Sequence, residues 1–147
     1  MTECEYDLAG LMLSFHLTIE SRRDLSEQAT EEIMRVVRTL PCAQDNLDDV
    51  RLALAEALAN AIIHGNREDA SKKVEICGGC DRQEQLLLVI TDQGEGFDPS
   101  ALPDPTSPEN ISSSHGRGVF LINRLVDQAE FNLGGRQVVL RKRLGTL

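Results

Sequence analysis

The sequence predicts an α+β fold of two layers, a mixed and mostly antiparallel sheet with helices on one face. Three observations predict it. The hydrophobic period changes between two and about 3.6 along the chain, so strands and helices both occur. Neighbouring strands are joined by short turns near the middle of the chain and again at its end, which favours antiparallel pairing. Each helical segment carries a single apolar stripe, and a sheet face is what such a stripe covers.

The elements follow in chain order. Leu13, Phe15, Leu17 and Ile19 alternate with Ser14, His16 and Thr18, a half-buried strand with His16 on its exposed side. Leu25, Ala29, Ile33, Val36, Val37 and Leu40 then form one helical stripe, which Pro41 stops. A second helix should start at Asp45 or Asn46, both good N-caps, with Asp48 and Asp49 favourable in its first turn. It runs through Leu47, Val50, Leu54, Leu58, Ala61 and Ile62 and should stop near Gly65. Strands are expected over 73–76 and 85–91, with Cys77-Gly78-Gly79-Cys80-Asp81 as the turn between them. The stretch 98–115 holds four of the five prolines and a serine run, and an irregular stretch of that length inside a domain is usually functional. A helix over 117–127 follows, then strands over 128–133 and 136–143 joined by Gly134-Gly135. The expected organisation is a tail over 1–12 and one domain over 13–147.

Composition bounds the partners. The chain has 147 residues, enough for one self-sufficient core, and 41% hydrophobic with 27% charged residues is ordinary for a globular protein. A formal net charge of -9 argues against direct nucleic-acid binding, which needs a basic surface. It does not exclude a phosphate ligand, because backbone N–H groups and a metal act locally. No apolar run approaches a membrane span. The first ten residues carry Glu3, Glu5 and Asp7 and no basic residue, the wrong charge for a signal peptide. A cytoplasmic chain with reduced thiols at Cys4, Cys42, Cys77 and Cys80 is the expectation. Cys77 and Cys80 have the spacing of half a zinc site, but a structural site needs four ligands and no second pair is evident. Met34 reads as a packing residue.

Three segments carry candidate chemistry. Glu56, Asn60 and His64 are spaced i, i+4, i+8 and line one face of a helix whose other residues are alanine, leucine and isoleucine. Burying polar groups costs free energy, so such a ridge needs a reason. An apolar strand delivers Asp92 to its end, followed by Gly94 and Gly96. Glycine allows close backbone approach to a flat ligand, and a carboxylate there can accept a hydrogen bond from an exocyclic amine. His115-Gly116-Arg117-Gly118-Val119 opens into a helix, whose free N–H groups and positive dipole end attract anions. Each segment alone also reads as something plain: a solvent-facing helix side, an ordinary turn, a hinge. Neither a P-loop nor the dinucleotide fingerprint is present. The ordered combination of the three is what points to a nucleotide site.

In that combination the chain resembles the GHKL ATPase superfamily (gyrase, histidine kinase, MutL and related ATPases), whose asparagine box and two glycine boxes the three segments match. Glu56-Ala57, Asn60-Ala61-Ile62-Ile63-His64-Gly65 and Gly116-Arg117-Gly118-Val119-Phe120-Leu121-Ile122 are similar to the anti-sigma-factor serine/threonine kinases within it. The resemblance runs from about Phe15 to Arg143 and implies the Bergerat-type ATP-binding fold. It implies that Asn60 binds the Mg ion bridging the phosphates of ATP, and that Glu56 is the general base or orients the attacking hydroxyl. It implies that Asp92 bonds the adenine amine, with Gly94 and Gly96 making room for the ring. His115, Gly116, Arg117, Gly118 and Val119 would line the nucleotide phosphates, with 98–115 as the lid. The implied partners are an anti-sigma-factor antagonist that accepts the phosphate and a sigma factor held by a kinase homodimer. Arg22, Arg23, Arg35 and Arg38 on the first helix are candidates for that contact. One departure stands out, because Gly135-Arg136 occupies the place where the family often has Gly-Thr. Two further readings compete: a non-catalytic, ATP-dependent binding module, and a stand-alone histidine-kinase-like ATPase domain.

Overall fold

A computed structural model describes residues 13–43, 47–96 and 114–143; for 13, 14 and 114–117 it describes the backbone alone. The chain runs β1 (Leu13–Glu20), α1 (Ser26–Val37), α2 (Leu47–Ala59), a π-helical turn (Asn60–Gly65), β2 (Lys73–Cys80), β3 (Gln85–Thr91), α3 (Ser114–Leu125), β4 (Gln128–Asn132) and β5 (Gln137–Arg143). The strands lie in the order β1-β2-β3-β5-β4, and all four pairings are antiparallel.

Alternation along the strands decides which face is covered. Ile76 stands opposite Leu17 on one side and Ile90 on the other, and Ile90 stands opposite Val138. These side chains share one core with Ile33 and Met34 of α1, Leu54 and Leu58 of α2, and Ile122 of α3. The stripes read from the sequence therefore meet a single sheet face, and Met34 is fully buried there. Cys77, Leu87, Val89 and Val139 form a smaller buried cluster on the other side of the pleat. His16 is exposed, as its place in the alternation requires.

The structure corrects several boundaries. The first helix is shorter than its stripe: residues 23–25 form a 3-10 turn and the α-helix closes at Val37. Asp48 and Asp49 do sit in the first turn of α2, whereas the expected caps Asp45 and Asn46 lie outside the described residues. Cys77 to Cys80 is not the β2–β3 turn but the end of β2. Asp81 makes the turn instead, because its carboxylate accepts the N–H groups of Gln83 at 2.9 Å and Gln85 at 2.8 Å. Gly78 stays in the strand for a packing reason, since a Cβ there would run into the Leu87 carbonyl. Helix α3 begins at Ser114, three residues before the expected start, so His115, Gly116 and Arg117 are helical rather than loop. The tail over 1–12 and residues 98–113 of the expected lid lie outside the described residues.

The thiols are the largest departure. Cys42 and Cys80 form a disulfide with Cα atoms 5.9 Å apart, and Cys77 is disulfide-bonded as well, so reduced cysteines are not what the fold contains. Sequence spacing carried no sign of the first pairing, because it joins the α1–α2 connection to the far end of β2 across 38 positions. Closing a loop of that size restricts the unfolded chain by about 2–4 kcal/mol. Replacing Cys42 and Cys80 together by serine should lower stability by about that amount in a denaturant titration. A midpoint equal to that of the unaltered chain would show that the bond does not support the fold.

Candidate functional site

The polar ridge on α2 exists because α3 leaves room for it. Glu56 and Asn60 are half-buried, and α3 crosses above them at Gly118. A Cβ on Gly118 would stand 3.0 Å from both terminal atoms of the Asn60 amide and 3.2 Å from Glu56 Oε2. Those distances place the amide and the carboxylate side by side under the first turns of α3. Among the described residues neither side chain makes a hydrogen bond, so both remain available.

The second half of the site hangs from the end of β3. Asp92 is 7% exposed, and its neighbours explain how the chain buries a carboxylate there. Its Oδ1 accepts the Gly94 N–H at 2.8 Å, and its own N–H donates to the Arg136 carbonyl at 2.8 Å. Burial pushes the Asp92 carboxyl above its ordinary 3.8, against the lowering pull of the Gly94 N–H and of the Arg136 and Lys72 charges. Arg136, which sequence reasoning registered only as a departure, thus stands next to Asp92 and joins it in lining the same cavity. That cavity is also lined by Asn60, His64, Gly96 and Ile122, so two residues of the ridge share one space with the aspartate, and Glu56 stands beside Asn60 under Gly118.

The glycines also set how closely the elements of the site approach. Cβ atoms on Gly65 and Gly94 would overlap the Asp92 carboxylate and the Gly65 carbonyl respectively. Gly96, at φ 82°, packs against the Gly134 carbonyl. The space beside each of these glycines is therefore filled by protein, and they let α2, β3 and β5 converge on the cavity. His64 belongs to the π turn and lines the cavity beside Asn60; burial lowers its pKa from 6.5, which favours the neutral ring. For His115, Gly116 and Arg117 the structure shows only that their backbone forms the start of α3; Val119, one residue past Gly118, is buried. A larger apolar cavity of about 630 Å³ lies between α1 and α2, on the side of α2 that carries Leu52 and Ala55 rather than Glu56.

The residues fit a nucleotide with its metal. A single amide oxygen is a poor cage for a bare cation, and among the described residues no cluster of His, Cys, Asp and Glu would hold one. Mg²⁺ bound mainly through phosphates and water needs only such a ligand. The missing side chain at Gly118 lets α3 come close to that ligand, and the unbonded oxygen of Asp92 is suited to an amine donor.

Helices on one face of an antiparallel sheet, with Asn60, His64 and a buried aspartate around one cavity and Glu56 beside Asn60, define a histidine kinase-like ATPase domain. Residues 19–142 match that domain family, and the chain belongs to it. A serine-protein kinase RsbW of Halalkalibacterium halodurans is 26% identical over 123 residues, which cover 80% of this chain and 74% of that protein. An RsbW of Bacillus cereus is 28% identical over 101 residues, 65% of this chain and 62% of that protein. The crystal structure of the RsbU and RsbW domains of a Mycobacterium tuberculosis protein shares the fold, with a TM-score of 0.65 at 15% identity over 92% of this chain. This chain covers 34% of that one. Among the described residues no helix is long and apolar enough to cross a membrane.

The buried carboxylate gives a prediction whose sign is fixed. A carboxyl whose folded pKa is raised weakens the fold once it ionises, and that loss grows as pH climbs from its unfolded value through the raised one. Asp92→Asn should therefore raise the melting temperature at neutral pH, with a gain that shrinks as acid protonates Asp92 in the unaltered chain. Melting curves across an acid-to-neutral series would read it, and a lower melting temperature at neutral pH would contradict it.

Proposed function

We propose that the chain is an ATP-dependent serine/threonine protein kinase that phosphorylates an anti-sigma-factor antagonist and sequesters a sigma factor. The observation that carries the reading is the pairing of Glu56 with Asn60 beneath Gly118, with Asn60 also lining the cavity that holds Asp92. The names of the RsbW relatives support the kinase chemistry.

In this mechanism Mg-ATP supplies the transferable phosphoryl group and much of the charge neutralisation. Asn60 would offer its amide oxygen to the metal. Asp92 would accept the adenine amine through the oxygen that Gly94 leaves unbonded. His115, Gly116, Arg117, Gly118 and Val119 would lie on the phosphate side, where the free N–H groups of the first turn of α3 would favour an anion. Glu56, one turn from Asn60, accepts the proton of the incoming serine or threonine hydroxyl. Little covalent help is needed, since phosphoryl transfer depends chiefly on position and charge.

The partners follow from the same reading. A homodimer holds the sigma factor in the cytoplasm, a compartment in which a disulfide such as Cys42–Cys80 is unusual. Arg35 and Arg38 are exposed on and just after α1, whereas Arg22 and Arg23 are already paired with Asp24 and Glu68. The first two are therefore better placed for a protein contact.

Labelled ATP incubated with the chain and a co-encoded antagonist should yield a phosphoserine or phosphothreonine on the antagonist. Glu56→Gln should slow transfer by about 10²–10⁴-fold, the span of general-base catalysis, with ATP affinity changed less than about threefold. Transfer that survives Glu56→Gln at full rate would remove the base from Glu56. Mg-ATP binding without transfer to any antagonist would leave a nucleotide-dependent binding module in place of a kinase.

A further inference from the structure

Three consecutive N–H groups fix the turn that carries Asp92, and each has one acceptor. The Asp92 N–H goes to the Arg136 carbonyl and the Gly94 N–H returns to Asp92 Oδ1. The Gln93 N–H between them donates to Asn66 Oδ1 at 2.7 Å. Asn66 is the only side chain from another segment in this set.

Asn66 is also fully committed elsewhere. It is 1% exposed, and its Nδ2 donates to Ser21 Oγ at 2.6 Å and to the Lys73 carbonyl at 2.9 Å. Its own N–H closes the π turn on the Ala61 carbonyl at 2.8 Å. Gln93 completes a ring, since its Oε1 accepts the Lys73 N–H at 2.7 Å. The amide orientation is unambiguous, because a carbonyl can only accept and a backbone N–H can only donate. A buried amide with every bond made holds its neighbours in one arrangement, whereas one missing partner costs a full desolvation.

We infer that Asn66 is a positioning residue for adenine recognition, setting Asp92 relative to the helix that carries Asn60. The inference rests on the proposed nucleotide reading and adds a residue that contacts neither base nor phosphate. Asn66 follows the polar ridge directly in sequence, yet it acts on the opposite wall of the cavity. Its removal should leave the phosphate side of the site intact and blur the base side.

The test is calorimetric titration of the full chain with three Mg-bound probes: ATP, purine riboside triphosphate (which lacks the exocyclic amine) and inorganic tripolyphosphate. In the unaltered chain ATP should bind more tightly than purine riboside triphosphate by about 10–100-fold, the worth of a hydrogen bond to a carboxylate. Asn66→Ala should cut that ratio by about tenfold or more and leave tripolyphosphate affinity within about twofold. In an Asp92→Asn background the same substitution should change no ratio, because its effect passes through Asp92. Ser21→Ala removes one Nδ2 bond of Asn66 and the Ser21 Oγ bond to the Lys72 carbonyl, and leaves Oδ1 on the Gln93 N–H; it should lower the melting temperature and keep the ratio. Should Asn66→Ala fail to fold, Gln93→Pro removes the N–H that Asn66 Oδ1 accepts and should shift the ratio in the same direction. Equal losses on all three probes, an effect that persists beside Asp92→Asn, or an unchanged ratio in Gln93→Pro would each overturn the inference. No ATP association in the unaltered chain would sink the proposed function itself, whereas an adenine preference untouched by these variants would sink this inference alone.

Discussion

Two glycines meet where the end of the α2 helical ridge passes the turn after β3, and the cavity depends on that contact. The place of a Gly65 Cβ is taken by the Asp92 carboxylate, and that of a Gly94 Cβ by the Gly65 carbonyl. With side chains at these positions the helical layer would stand off from the sheet. Water would enter, Asp92 would regain an ordinary carboxyl, and the Gln93 N–H would move away from Asn66. One steric condition thus produces the burial of the aspartate, the raised pKa and the shared cavity with Asn60. The cost of a half-desolvated charge is accepted at this point and is met by the Gly94 N–H and by Arg136.

The π turn shapes how the ridge is presented. Residues 60–65 close i→i+5 rather than i→i+4 bonds, and Asn66 caps that wider turn through its N–H to Ala61. Such turns are rare and occur most often at functional sites. Reversal of the chain is then made by Arg67 and Glu68, both non-glycine residues at positive φ, and not by Gly65. Gly65 is thereby free to serve as the contact point with Asp92. A helix stopped by glycine in the ordinary way would use that residue for the turn itself.

Much of this was legible in the sequence for reasons that can be named. Period-two alternation gave β1 because Phe15, Leu17 and Ile19 face one core, and apolar content with flanking turns gave β3 at its observed limits. The Glu56–Asn60 ridge showed itself by contrast with its apolar neighbours. Other features left no local trace. A π turn has the same residue types as an α-helix. The Cys42–Cys80 bond depends on distance in space, which spacing does not encode. Gly78 and Gly79 read as a turn because glycine favours turns, but here close approach to β3 overrides that preference. Asn66 stands just past the ridge, and only its four partners distinguish it. Tertiary contact decided each case where local preference misled.

The anchors of α2 complete the physical picture. The thirteen residues of α2 and the six of the π turn span roughly 28 Å, close to the roughly 26 Å of the eight residues of β2. Before α2 begins, Cys42 is bonded to Cys80 at the last residue of β2. After the π turn ends, Asn66 is bonded to Lys73 at the first residue of β2. The helix is therefore pinned at both ends to opposite ends of one central strand, by a covalent link and by a buried amide. Sliding along its axis or tilting would strain one anchor or the other, and the apolar contacts of Leu54 and Leu58 resist rotation between them. Glu56 and Asn60 sit within this clamped span. A reaction governed by the placement of a carboxylate, an amide and a ligand within fractions of an ångström gains from such a mount, because order set during folding need not be supplied again when the ligand binds.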